Sequence, residues 1–163
     1  MALLDASLER LAREGRVGRP VQVLGRFRGI ATLTALGLIS EIGDFARFSS
    51  PRELMSWRGI TPSEYSSGQQ QHRGHITHAG NEYARRLLIE AASHYRHPPR
   101  RSSRRPEPDE RAWQAQVRLF HRWRHLTNHG KRSTVANVAI ARELAGFIWA
   151  VMTHQPKREE AAA

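Results

Sequence analysis

The chain has 163 residues, with 26 Lys and Arg against 15 Asp and Glu for a formal charge of +11, and it has no cysteine. That length suits one hydrophobic core and is short for two domains. The missing thiols exclude disulfides, thiolate nucleophiles and cysteine-zinc centres, while the cationic surplus selects a polyanionic partner, because each phosphate neutralised releases condensed counterions. Nucleic acid is the first such partner. A membrane is not expected: no apolar run reads as the roughly 20 residues of a spanning helix. The N-terminus does not have a basic stretch followed by an apolar core and cleavage site, so a cytoplasmic location is expected.

Leu4, Leu8 and Leu11 fall at helical spacing and predict a short amphipathic lead-in helix over about 2–14, within a segment 1–20. From Val21 to Ile42 the apolar pattern is again helical, interrupted by Gly25 and Gly29. The turn Arg28-Gly29-Ile30-Ala31 has two readings. In one it is the hairpin of a helix-hairpin-helix unit, whose amides at a helix N-terminus meet backbone phosphate with help from Arg26 and Arg28. In the other it is a purely structural helical hairpin.

Ser50-Pro51-Arg52-Glu53 is a helix start: Ser50 caps, proline suits the first helical position and Glu53 completes a capping box, with the helix running to about Arg58. The stretch from Gly59 to Gly80 is long for a loop in a compact domain, which points to function, and a short hairpin fits within part of it. Asn81 is placed to cap a helix whose apolar face is Ala84, Leu87, Leu88, Ala91, Ala92 and Tyr95. Arg85 and Arg86 then project away from that face, towards a substrate or simply towards solvent. His97-Pro98-Pro99 ends this helix, and residues 97–110 read as a basic, proline-rich linker.

A helix resumes near Asp109, with Trp113, Val117, Phe120 and Trp123 at three- and four-residue intervals, which read as a core stripe in preference to base-stacking residues. After Asn128-His129-Gly130, a final helix buries Ile140, Leu144, Phe147, Ile148 and Val151 and stops before Pro156, leaving 155–163 as a disordered tail. Strand-like alternation is sparse. The expected fold is mainly α, one compact helical domain over 21–154.

The positive charge is concentrated. Between His94 and Arg132 stand eleven Lys and Arg against Glu107, Asp109 and Glu110, a net +8. A solvated surface accounts for any single arginine, but a surplus of this size is costly to assemble without an anionic partner. Arg100, Arg101, Arg104, Arg105, Arg118, Arg122, Lys131 and Arg132 are therefore candidate nucleic-acid contacts.

Metal chemistry is weakly supported. His72, His75 and His78 are three apart but no cysteine joins them, and as residues of a basic loop they read as phosphate contacts or exposed groups. Glu41 and Asp44 could share a divalent ion, yet their position suits ending and orienting a helix. No phosphate-cradling or dinucleotide glycine motif is present. The remaining candidate is Ser66-Ser67-Gly68, with Arg73, Arg85 and Arg86 near in sequence. Glycine lets the chain turn and arginines favour a phosphate beside the hydroxyl, so the pair reads either as a turn or as a nucleophile facing a phosphodiester.

Several segments in order, Val23-Leu24-Gly25-Arg26-Phe27-Arg28-Gly29-Ile30, Glu41-Ile42-Gly43-Asp44-Phe45-Ala46-Arg47-Phe48, Trp57-Arg58-Gly59-Ile60-Thr61-Pro62, the serine loop and Gly80-Asn81, resemble the C-terminal domain of the IS110/IS116/IS902 family of bacterial transposases. Trp113 to Leu119 and Val138 to Ala150 look like that domain's closing helices. The family more often has glycine at the position of Ala31, which weakens the expectation of a close backbone approach to phosphate there.

The resemblance implies DNA cleavage and strand transfer. Ser67 occupies the nucleophile position, with Ser66 as the second choice. It further implies a RuvC-like N-terminal half whose carboxylates bind Mg2+, a homo-oligomer, and a structured guide RNA. Only the C-terminal part is matched, so the chain is expected to be a truncated or excised part, inactive in recombination alone. The competing reading is a noncatalytic nucleic-acid-binding helical module or transposase remnant; a weaker one is a helical scaffold with incidental basicity.

Overall fold

The computed structural model describes residues 17–57, 59–60, 62–67, 70–76, 80–101 and 108–154, the stretches 62–67 and 70–76 by their backbone. The lead-in helix expected over 2–14, the centre of the basic linker and the tail 155–163 lie outside the described residues.

Helix α1 spans Gly18–Gly25 and α2 spans Thr32–Ile42. A 3₁₀ turn at Phe45–Arg47 follows, then α3 at Pro51–Trp57. Strands β1, Pro62–Ser67, and β2, Gln70–Ile76, form an antiparallel hairpin. Helix α4 covers Glu82–Ser93 and continues into a 3₁₀ turn at His94–Arg96. Helices α5, Glu110–Asn128, and α6, Ser133–Thr153, close the order. The fold is mainly α, and the hairpin expected within 59–80 is its sheet component among the described residues.

Helix α6 is the axis of the core. It packs against α1, α3, α4, α5 and the Phe45–Arg47 turn. Ala136, Ile140, Ala141, Leu144, Ala145, Ile148 and Val151 are buried along it, and the alanines let neighbouring helices come close. Phe147, expected in this stripe, is only partly buried. At 21 residues, α6 is long and apolar enough to cross a bilayer by length and composition alone. The expectation that no run approaches that length missed it because Arg142 and Glu143 interrupt the apolar sequence. A helix packed on several sides is apolar around much of its circumference, and central position explains α6.

The apolar face of α4 is buried as expected, from Ala84 to Ala92, with Tyr95 continuing it in the 3₁₀ turn. Arg85 departs from expectation: it is buried rather than projecting outward. Helix α5 is rotated relative to its sequence reading. Ala112, Ala115, Gln116 and Leu119 are buried, whereas Trp113, Val117 and Phe120 flank that face. The difference is roughly 90–100° about the axis, one residue's step on an α-helix. Small residues face α6 at close range, and the larger side chains cover the margins; Trp123 packs partly buried on the core.

The start of α3 also differs in one contact. Ser50 Oγ accepts from the Glu53 amide at 3.3 Å, but the Glu53 carboxylate reaches past Ser50 to the Ser49 hydroxyl at 2.8 Å and amide at 2.7 Å. The Ser49 hydroxyl, then its amide, hold the Glu53 carboxyl below the usual carboxylate range. The helix ends in a Schellman arrangement: the Gly59 amide donates to Ser56 O at 2.9 Å and the Ile60 amide to Met55 O at 3.3 Å. Gly59 has φ +62°, the left-handed conformation this ending requires.

Candidate functional site

The serine hairpin stands in the chain between two residues held by the helical body. Ile60, just before it, is buried in the core. On the return side, Asn81 Oδ1 accepts from the Ala84 amide at 2.9 Å, capping α4, while its amide group donates to the Glu41 carboxylate at the end of α2. One side chain thus ties the start of α4 to the end of α2.

Within the hairpin, Pro62 pairs with Ile76, Glu64 with Arg73, Tyr65 with His72, Ser66 with Gln71 and Ser67 with Gln70. The ladder is irregular between the first two pairs, where β2 carries an extra residue in the stretch that includes Gly74. Ser67 therefore lies in the last pair, at the closed end, roughly 17 Å along the strand from Pro62. Arg73 stands opposite Glu64, nearer the base. Arg85 and Arg86 belong to α4, which begins beyond the open end, so the hairpin topology separates in chain position the serine and arginines that sequence proximity had grouped. Arg86 is exposed and occupied locally, with Nε 3.7 Å from Glu90 and its guanidinium over Tyr83 at 5.4 Å.

The turn between α1 and α2 uses its basic residues internally. Arg28 Nη1 donates to the carbonyls of His97 at 3.1 Å and Pro98 at 2.7 Å. Arg26 Nη1 donates to Asp109 at 3.0 Å, and Asp109 also caps α5 by accepting from the Ala112 amide at 2.8 Å. Two residues of one turn thus hold both ends of the basic linker. Gly29 has φ +85°, and a Cβ there would come within 2.8 Å of Ala91 Cα. The glycine is required for seating the turn on α4.

Arg100 and Arg101 are exposed on the linker, Arg101 lying over Trp113 at 5.4 Å. Arg104 and Arg105 lie outside the described residues. Lys131 and Arg132 are exposed between α5 and α6. On α5, Arg118 and Arg122 direct Nε towards the two oxygens of Glu143 on α6, at 3.3 and 3.2 Å. With His121 and His125 these three residues line a surface depression of about 510 Å³. Sequence reasoning named the two arginines but missed both histidines and Glu143; the recurrence 118, 121, 122, 125 was a legible one-face signal.

Two carboxylates considered for metal binding have structural duties. Glu41 accepts from Asn81, and Asp44 accepts from the Ala46 amide at 2.8 Å. Among the described residues no group of three His, Asp or Glu is arranged to hold an ion. His72 and His75 are described by backbone only and His78 lies outside the described residues. The donor set on view does not fit a magnesium centre.

Known proteins converge on one assignment. The chain is 45% identical to a putative transposase of Sinorhizobium fredii over 139 residues, 80% of this chain and 36% of that protein. It is 28% identical to a probable family 20 transposase of Pseudomonas aeruginosa over 93% of this chain and 42% of the relative. It is 26% identical to the transposase for insertion sequence element IS1111A of Coxiella burnetii, over 90% and 36% respectively. The chain thus spans 36% to 42% of the length of these relatives. Residues 21–105, which contain the α1–α2 turn and the whole serine hairpin, match the transposase IS116/IS110/IS902 family model, and the chain belongs to that family.

Proposed function

We propose that this chain is the serine-bearing portion of an insertion-sequence transposase and supplies the nucleophile for DNA cleavage and strand transfer. The observation that carries this reading is the family match across residues 21–105 together with the position of Ser67 in the last pair of the hairpin. The chain on either side of the hairpin is held in the helical body by Ile60 and Asn81. Ser67 Oγ attacks a DNA phosphorus, forming a P–O bond as the bond to the departing sugar oxygen breaks; the serine proton leaves to a base and the sugar oxygen is protonated. The strand is then held as a phosphoserine ester until a second sugar hydroxyl displaces the serine.

Arginines near the phosphate offset charge that builds on its oxygens. The metal-binding function belongs to a RuvC-like half with its own carboxylates, and Mg2+ would act there. A structured guide RNA and assembly into a homo-oligomer complete the proposal.

The test is Ser67→Ala in a protein that includes the RuvC-like half. The covalent protein-DNA adduct, read on a denaturing gel, disappears, while DNA affinity changes less than about twofold because one neutral hydroxyl adds little beside charge-assisted phosphate contacts. Ser66→Ala keeps the adduct. An adduct that persists in Ser67→Ala but is lost in Ser66→Ala moves the assignment by one residue, and one that survives both substitutions ends the serine mechanism. The surplus of exposed cations favours a second reading, a noncatalytic nucleic-acid-binding module; salt-sensitive binding without any adduct in the combined protein would select it.

A further inference from the structure

The depression on α5 has the makings of a phosphate site rather than an ordinary surface ion pair. Arg118, His121, Arg122 and His125 recur at the three- and four-residue spacing that aligns side chains on one helical face. Glu143, on the neighbouring helix and about one quarter exposed, faces the Nε atoms of both arginines. Among the described residues, the Nη groups of the two arginines have no hydrogen-bond partner. Each guanidinium is thus oriented by its inner edge while its outer edge remains open.

One carboxylate against two guanidinium groups leaves a net positive site even with both imidazoles neutral. Such exposed pairs contribute at most about 1 kcal/mol to stability, so folding gives little reason for the arrangement. Orientation does: a guanidinium already held by a carboxylate loses less side-chain freedom when it closes on a phosphate oxygen. The row continues towards the C-terminal end of α5, where the His125 and His129 rings lie 4.2 Å apart. From Arg118 to His129 the row covers about 16 Å, enough to follow more than one phosphate of a strand.

We infer that Arg118, His121, Arg122 and His125, with Glu143 as the positioning residue, form a binding site for the phosphodiester backbone of a nucleic acid, separate from the serine hairpin. This deepens the proposed function and rests on its claim that the chain acts on nucleic acid. The site contacts backbone oxygens, so it sets position and affinity without reading sequence.

The experiment is fluorescence anisotropy of the 163-residue chain with a short labelled duplex DNA and, separately, an RNA hairpin, over about 50–200 mM salt. Arg118→Gln/Arg122→Gln is compared with Arg19→Gln/Arg52→Gln, which removes the same charge from exposed positions on α1 and α3. The first pair weakens binding about tenfold or more and lowers the logarithmic salt slope by about 1.8, two contacts at about 0.9 each on duplex DNA. The control pair changes affinity less than about threefold. A loss with both ligands supports a site for either backbone, and a loss confined to one identifies its source. Equal losses from the two pairs overturn the inference, leaving only the general field of the protein. Failure of the unaltered chain to bind either ligand at low salt instead overturns the nucleic-acid reading itself. Circular dichroism confirms that the exposed substitutions leave the helices formed.

Discussion

Arg26 and Arg28 in the α1–α2 turn and Arg118 and Arg122 on α5 are two pairs of the same residue type, yet the fold gives them different partners. The first pair reaches carbonyl and carboxylate groups far along the chain: His97, Pro98 and Asp109. One Nη of each fastens the linker that joins the α4 end to α5. The second pair meets one carboxylate through Nε and keeps its outer donors open. Basic residues therefore divide by what the tertiary partner leaves free, and charge counting alone cannot make that division.

The sharpest way to break this comparison is to disturb the turn that carries the internal pair. Gly29→Ala forces a side chain into left-handed backbone and against α4. The strain of a non-glycine residue there, about 1–2 kcal/mol, adds to overpacking of about 1–3 kcal/mol. A loss of about 3 kcal/mol is expected in urea unfolding, and a loss below about 1 kcal/mol would show that the turn is not seated on Ala91.

Arg28→Ala tests the internal use directly. It leaves the His97 and Pro98 carbonyls to water, lowering stability by about 1–2 kcal/mol, with less than about twofold change in affinity for DNA at 0.15 M salt. A larger binding loss with unchanged unfolding would place Arg28 among the outward cations. The smallest expected change comes from Asp109→Asn, which keeps a side-chain oxygen for the α5 cap but removes the ionic partner of Arg26. Stability falls by less than about 1 kcal/mol. DNA affinity rises, because Arg26 is released and one negative charge is lost; unchanged affinity would mean that Arg26 remains directed inward without its ion pair.

Much of the helical scaffold was legible in the sequence because it is local. Asn81 and Asp109 precede their helices as side-chain acceptors, and the stripe from Ala84 through Tyr95 follows the helical period and is buried. The α5 face was not legible in the same way. Trp113, Val117 and Phe120 have the greater hydrophobicity, but Ala112 and Ala115 permit the closer approach to the core. Periodicity identifies a face by what its residues dislike about water, whereas packing chooses it by volume. The hairpin was anticipated only as a possibility within 59–80, and its register, with Ser67 in the last pair, depends on strand pairing rather than on residue type.

The serine itself shows the same division. Family resemblance selected Ser67, and neighbouring numbers suggested that Arg73, Arg85 and Arg86 gather around it. The hairpin sends Ser67 towards its closed end, while the chain returns to the base before α4 begins and buries Arg85.

By itself the sequence determined the mainly helical class, the positions of the principal caps and turns, the strong positive charge and the transposase family, because these rest on local conformational preference, composition and ordered motifs. Tertiary structure decided which face of α5 is buried, where Ser67 sits on its hairpin and which groups each arginine meets. Those outcomes require partners brought together from distant parts of the chain: Asp109 for Arg26, the His97 and Pro98 carbonyls for Arg28, and Glu143 for Arg118 and Arg122.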